Sequence, residues 1–231
     1  MGMAGACLMA YAEARTFWLE PTDRIATGLR RYADRNVGGG RAEFTCAAGY
    51  HSALVFTGED DAVFDYRDGY RVLAVRPLAR RDDPQWPTHC ACGYAFVDDD
   101  HWQEWQELIY QRSDTDDRCT LRERQASDVG GLAAAPPGAM WDAWWMPPTW
   151  AGPDGIHLMV RLPNGRDWHV DSHASNCTRP GEPHQCWVRH GDPRECRITV
   201  DKNGDTCAAG AGSIQAADYH GFLRGGVLTA G

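Results

Sequence analysis

Lysine is almost absent from this chain. Lys202 is the only one, and every other fixed cation is an arginine. That bias fits GC-rich coding DNA better than selection for guanidinium chemistry. There is no basic run either, and the net charge is −9. Nucleic-acid binding needs Lys and Arg to displace phosphate counterions, so no nucleic-acid partner is expected. Docking on an anionic membrane surface is disfavoured for the same reason. No apolar run approaches the roughly 18 residues of a membrane span. The apolar stretch from Met3 to Tyr11 has no cation before it and makes a poor signal peptide. The cytosol is therefore the default compartment. The Gly-x-Ser-x-Gly elbow of serine hydrolases is missing. Gly210-Ala211-Gly212-Ser213 lacks the lysine and the strand-to-helix setting of a phosphate loop. No internal repeat is found.

What is present is unusual in two respects. The 231 residues include ten Trp and nine Cys. In a reducing compartment such thiols serve as metal ligands or buried hydrophobes more often than as disulfides. The odd count also leaves at least one Cys unpaired.

The pattern along the chain predicts a mostly β, α+β protein of two small modules rich in β-hairpins. Residues 1–16 read as a loose leader, 17–125 as the first module, 126–155 as a Pro/Gly/Trp-rich linker and 156–231 as the second module. Ile25, Leu29 and Tyr32 fall at helical spacing and predict a short helix over Arg24–Tyr32. Strands are expected at Glu43–Thr45, Ala53–Phe56 and Tyr70–Val75. Asp98 to Asp100 can cap a helical turn carrying Trp102 and Trp105, with strands at 108–110 and 119–121. A single helix over 99–112 competes with that reading. Hairpins are expected around Asn164-Gly165 and Gly225-Gly226, with a further strand at Arg197–Asp201. Trp141, Trp144, Trp145 and Trp150 read as a plug between modules, since each can bury a large area.

Two Cys/His groups follow, one in each module. His89-x-x-Cys92-Gly93 has the form of a zinc knuckle, in which two ligands on a tight turn can face one ion. Cys90 can replace His89, and Cys46 with His51 supplies the second pair. In the second module the preferred ligands are Cys177, Cys186, Cys207 and His220, with His184, His190 and Cys196 as substitutes. Each group has enough ligands for a tetrahedral structural zinc, so two zinc ions are expected. A catalytic alternative also exists. On a strand, His169, Asp171 and His173 would share one face and could hold a metal with an open position.

Several phrases then point further. They are Trp86-Pro87-Thr88, Pro137-Gly138-Ala139-Met140-Trp141-Asp142, Ser175-Asn176-Cys177-Thr178-Arg179-Pro180-Gly181, Cys186-Trp187-Val188-Arg189-His190-Gly191-Asp192-Pro193 and Tyr219-His220-Gly221-Phe222-Leu223. Together they resemble a group of proteins from phages and prophages of actinobacteria, over nearly the whole chain from Phe17. In that group the knuckle reads Cys-x-x-Cys-Gly-Tyr, and here His89 takes the first place. The resemblance brings no activity with it. It implies a phage gene expressed in a bacterial cytoplasm. The functional expectation is a non-enzymatic zinc-binding protein that acts by contacting another macromolecule, a protein. A metal-dependent hydrolase using His169, Asp171 and His173, or a virion accessory protein, are the alternatives.

Overall fold

The structure, a computed structural model, describes residues 11–33, 51–67, 70–74, 82, 84–121, 132–174, 176–179, 184–202 and 212–231. The strands in chain order are β1 (Ala14–Arg15), β2 (Phe17–Tyr32), β3 (Ser52–Asp61), β4 (Phe64–Arg67), β5 (Tyr70–Leu73), β6 (His101–Arg112), β7 (Arg118–Thr120) and β8 (Ala133–Ala134). They continue with β9 (Ala139–Asp142), β10 (Leu158–Arg161), β11 (Asp167–His169), β12 (Val188–His190), β13 (Thr199–Asp201), β14 (Ile214–Ala216), β15 (Tyr219–Arg224) and β16 (Val227–Ala230). The fold is mostly β, as expected. Among the described residues the only helical elements are two 3-10 turns, Pro148–Trp150 and Pro193–Glu195.

The chain forms two compact units whose segments interleave. One comprises residues 1–20, 111–117 and 135–231, the other 21–110 and 118–134.

In the first unit, β9 is paired on both sides. It runs antiparallel to β10 and parallel to the start of β2, with Phe17 opposite Ala139 and Trp18 opposite Met140. Residues 139–142 therefore form an inner strand, where the sequence suggested a linker. The cause is burial: Ala139, Met140 and Trp141 are at most 2 % exposed. The β10–β11 hairpin turns at Asn164-Gly165, as its turn chemistry predicts. Gly165 takes φ +79°, and Asn164 Oδ1 accepts from the Arg166 amide. The second sheet runs β1-β16-β15-β13-β12, with β14 on β15. Gly225 and Gly226 make the β15–β16 turn with φ of +55° and +78°. Part of the expected leader is thus structured, since Ala14 and Arg15 pair with Leu228 and Val227. One core joins these sheets. It includes Trp18, Met140, Leu158, Val160, Trp168, Cys186, Trp187, Val200, Leu223 and Leu228.

In the second unit the expected helix over Arg24–Tyr32 is instead the long arm of β2. It pairs antiparallel with β3 from Arg24–Asp61 to Tyr32–Ser52, with a bulge between Thr27 and Gly28. The other side of β2 meets β6. Residues 25–29 are buried without a break, so no polar helix face exists here. Tertiary pairing on both edges overrides a weak periodicity. The segment around Trp102 and Trp105 is likewise strand, within β6, and not helix. Trp105 and Ile109 of β6 pack with Ala26, Leu132, Leu54 and Phe56. A separate cluster of Ala33, Cys90, Tyr94 and Phe96, flanked by Ala53 and Cys92, lies under the knuckle. The expected strand at Glu43–Thr45 falls outside the described residues.

Candidate metal centres

The knuckle is built by its own backbone. Cys90 N donates to Tyr94 O at 2.8 Å, and Gly93 N donates to Cys90 O at 2.9 Å. Gly93 sits at φ +94°, which a side chain would disfavour. Phe96 N reaches Thr88 O, closing the base of the loop. Arg31 fastens it from β2. Its buried guanidinium donates to the carbonyls of Pro87 and Val97 and lies over the rings of Trp86 and Phe96. His51 enters just before β3, where its carbonyl accepts from Ala33 N. Its ring stacks on Tyr94, with centroids 4.1 Å apart and an interplanar angle of 3°.

This arrangement brings His51, Cys90 and Cys92 together, their ligand atoms all within 4.8 Å of one another. Cys92 Sγ lies 3.2 Å from His51 Nδ1. The Cys90 thiol comes down from 9.0 to about 7. Burial is the largest influence and opposes this, but hydrogen bonds from the Cys92 and Ser52 backbone and from the His51 and Cys92 side chains outweigh it. Donors that favour a thiolate also favour a metal–sulfur bond. His89 stands outside the group. It is exposed, its Nδ1 beside Thr88 Oγ1, and Cys90 takes the place that the x-x spacing assigned to it. Cys46 lies outside the described residues.

The second group is Cys177, His184 and Cys186, again with all ligand atoms within 4.8 Å. Both sulfurs lie 3.4 Å from one nitrogen, His184 Nε2. Cys186 is fully buried in the core of its unit, beside Trp187. Cys177 sits on a turn whose amide donates to Ala174 O, and Arg179 N donates to its sulfur at 3.4 Å. Lys202 reaches a chain neighbour of each cysteine. It holds Asn176 Oδ1 at 3.0 Å and lies over the Trp187 ring. The His173 ring stacks on His184.

Other predicted ligands go elsewhere. His220 lies in β15 opposite Gln215, its ring near Phe222, away from the thiols. His190 faces Asp201 across the β12–β13 pair at 3.2 Å. Cys196 takes a left-handed backbone (φ +57°) after the second 3-10 turn, and burial, the largest influence, raises its pKa. Cys207 lies outside the described residues. The sequence alone offers His184 and Cys90 only as substitutes. The overlooked signal is shared. Cys90-x-Cys92 and His184-x-Cys186 both place two ligands one residue apart.

The catalytic alternative loses its premise. β11 ends at His169, and the chain turns at 170–172, with Ser172 donating to His169 O. His169, Asp171 and His173 therefore do not line one strand face. Asp171 is committed to Arg189 at 3.0 Å, and the same guanidinium holds Asp154. Burial is the strongest influence on Asp171 and raises its pKa to about 6 despite this partner. His169 is buried against Trp150 (centroids 5.7 Å, 21°), and burial, the largest influence, lowers its pKa. The Trp group is divided too. Trp141 is in the core, whereas Trp145 and Trp150 are 41 % and 50 % exposed.

No helix among the described residues is long and apolar enough to cross a membrane. Comparison with family models, curated proteins and solved structures returns no match.

Proposed function

We propose that the protein is a non-enzymatic zinc-binding protein, encoded by a phage, that acts by contacting another protein. One observation carries the metal half of this reading. Two thiols and one imidazole converge twice, once in each unit, and each group is anchored to a hydrophobic cluster. Soft sulfur with imidazole nitrogen is the donor set of zinc, and is poorly suited to magnesium or calcium. A structural role fits the surroundings. Both groups tie irregular loops to a core, where an ion supplies folding free energy. The partner half rests on exposed aromatics. Trp102, Trp145 and Trp150 are 40 %, 41 % and 50 % exposed, and large aromatic side chains are enriched at protein interfaces.

Metal analysis of protein purified without a histidine tag should give about two zinc per chain, one for each ligand group. Zero zinc with the thiols oxidised in pairs would sink the reading. Cross-linking in the producing cell should capture one discrete second protein, and Trp150→Ala or Trp102→Ala should weaken that capture. If the captured protein is a head or tail subunit, the chain should also be found in purified virions.

A further inference from the structure

The second metal group has three converging ligands, while a structural zinc takes four. We propose that His173 is the fourth, so that His173, Cys177, His184 and Cys186 form a closed His2Cys2 zinc site. This rests on the zinc reading above and adds the ligand that completes it.

The case is geometric. The His173 ring is stacked on the His184 ring, with centroids 4.5 Å apart and an interplanar angle of 18°. A ligand to His184 Nε2 lies in the plane of that ring, about 2.0–2.1 Å beyond the nitrogen. It therefore sits at the rim of the stack. His173 is exposed and precedes Cys177 by four positions on the same loop. As the rings are stacked His173 lies outside the converging group, so coordination requires its side chain to rotate and bring a ring nitrogen to the ion. Two neutral imidazoles and two thiolates also balance the charge of the dication. Among the described residues the other candidates face elsewhere: His169 lies against Trp150, Asp171 against Arg189, His190 against Asp201, His220 by Phe222, and Cys196 Sγ toward Arg194 O. The sequence pattern is His-x3-Cys followed by His-x-Cys, two pairs of close-spaced ligands of the types a structural zinc takes. A closed site has no open position for water, so this ion would serve structure and not hydrolysis.

Cobalt(II) bound to the full-length untagged chain is the probe, with cysteine-to-cobalt charge-transfer bands reporting thiolates and chelator competition reporting affinity. His173→Ala should weaken one of the two sites by at least about tenfold, the least that loss of even an outer partner of a metal ligand costs. The other site should be unchanged, and Cys207→Ser should alter neither. His173→Cys keeps a ligand at this place and should add one thiolate band at a single site. Loss of affinity in Cys207→Ser with none in His173→Ala would overturn the proposal. So would a His173→Cys protein with no added thiolate band, or equal affinity in every variant. Those results leave the zinc reading standing. Failure of the native chain to bind cobalt at all would instead remove the zinc reading, and this proposal with it.

Discussion

Arg189 holds the buried carboxylate of Asp171 and the partly exposed one of Asp154, and its own side chain is 4 % exposed. Removing it leaves two carboxylates without their cation. Breaking a buried pair by deleting one partner costs about 3–5 kcal/mol. Arg189→Met should therefore show a loss of that size in urea unfolding at pH 8. The loss should shrink near pH 5, where Asp171 can take a proton. The native protein should show the same coupling in milder form. The folded pKa of Asp171, about 6, lies above its ordinary 3.8. The folded state then binds that proton more tightly than the unfolded chain. The stability it contributes is fully present below the unfolded value and is lost as pH rises through about 6. Asp171→Asn cannot titrate. The difference in unfolding free energy between native and variant protein should fall across this window, and a flat difference would refute the assignment. Metal loss in acid affects both proteins alike and drops out of the comparison.

At the level of elements, β2 shows what the sequence could and could not reveal. Hairpins with their own chemical signal were legible. Asn164-Gly165 and Gly225-Gly226 need positive φ, and they name their turns without help from distant residues. The long arm of β2 had no such signal. Its burial comes from β3 and β6, which lie far along the chain, so local spacing of Ile25, Leu29 and Tyr32 pointed to the wrong element. β9 was hidden for a related reason, since Pro and Gly on either side looked like a linker while its partners were remote. The metal groups were half legible. Cys92, His51, Cys177 and Cys186 could be picked by type and position, but only the fold shows that Cys90 and His184 complete their triplets. Gly28 marks the bulge in β2. A Cβ there would stand 2.1 Å from the Trp105 ring and 2.4 Å from Val55 O. Gly28→Ala should cost at least about 1–3 kcal/mol, the usual penalty of overpacking, measured as a shift in urea midpoint with an unchanged slope.

For the whole molecule, one metal group in each unit means that chelation should act on both. Adding a strong chelator should lower the unfolding temperature, and restoring zinc should return it. Cys92→Ser should leave about one zinc per chain, held by the other group. Retention of two would show that Cys92 is no ligand. The pairing of β1 with β16 also governs how the chain is made. Ala14 and Arg15 wait for Leu228 and Val227, and Phe17 and Trp18 wait for Ala139 and Met140. Synthesis at about 5–20 residues per second leaves roughly 10–40 s between the first strand and its partner. In that interval residues 21–110 and 118–134, which make up the other unit, are complete. Phe17, Trp18 and Leu19, all core residues in the end, have no partner strand from their own unit until β9 has been made. A chain stopped before Val227 would hold β9 against Phe17 and Trp18 but leave β1 without β16 and the core without Leu228, and such products should be found in aggregates or bound to chaperones.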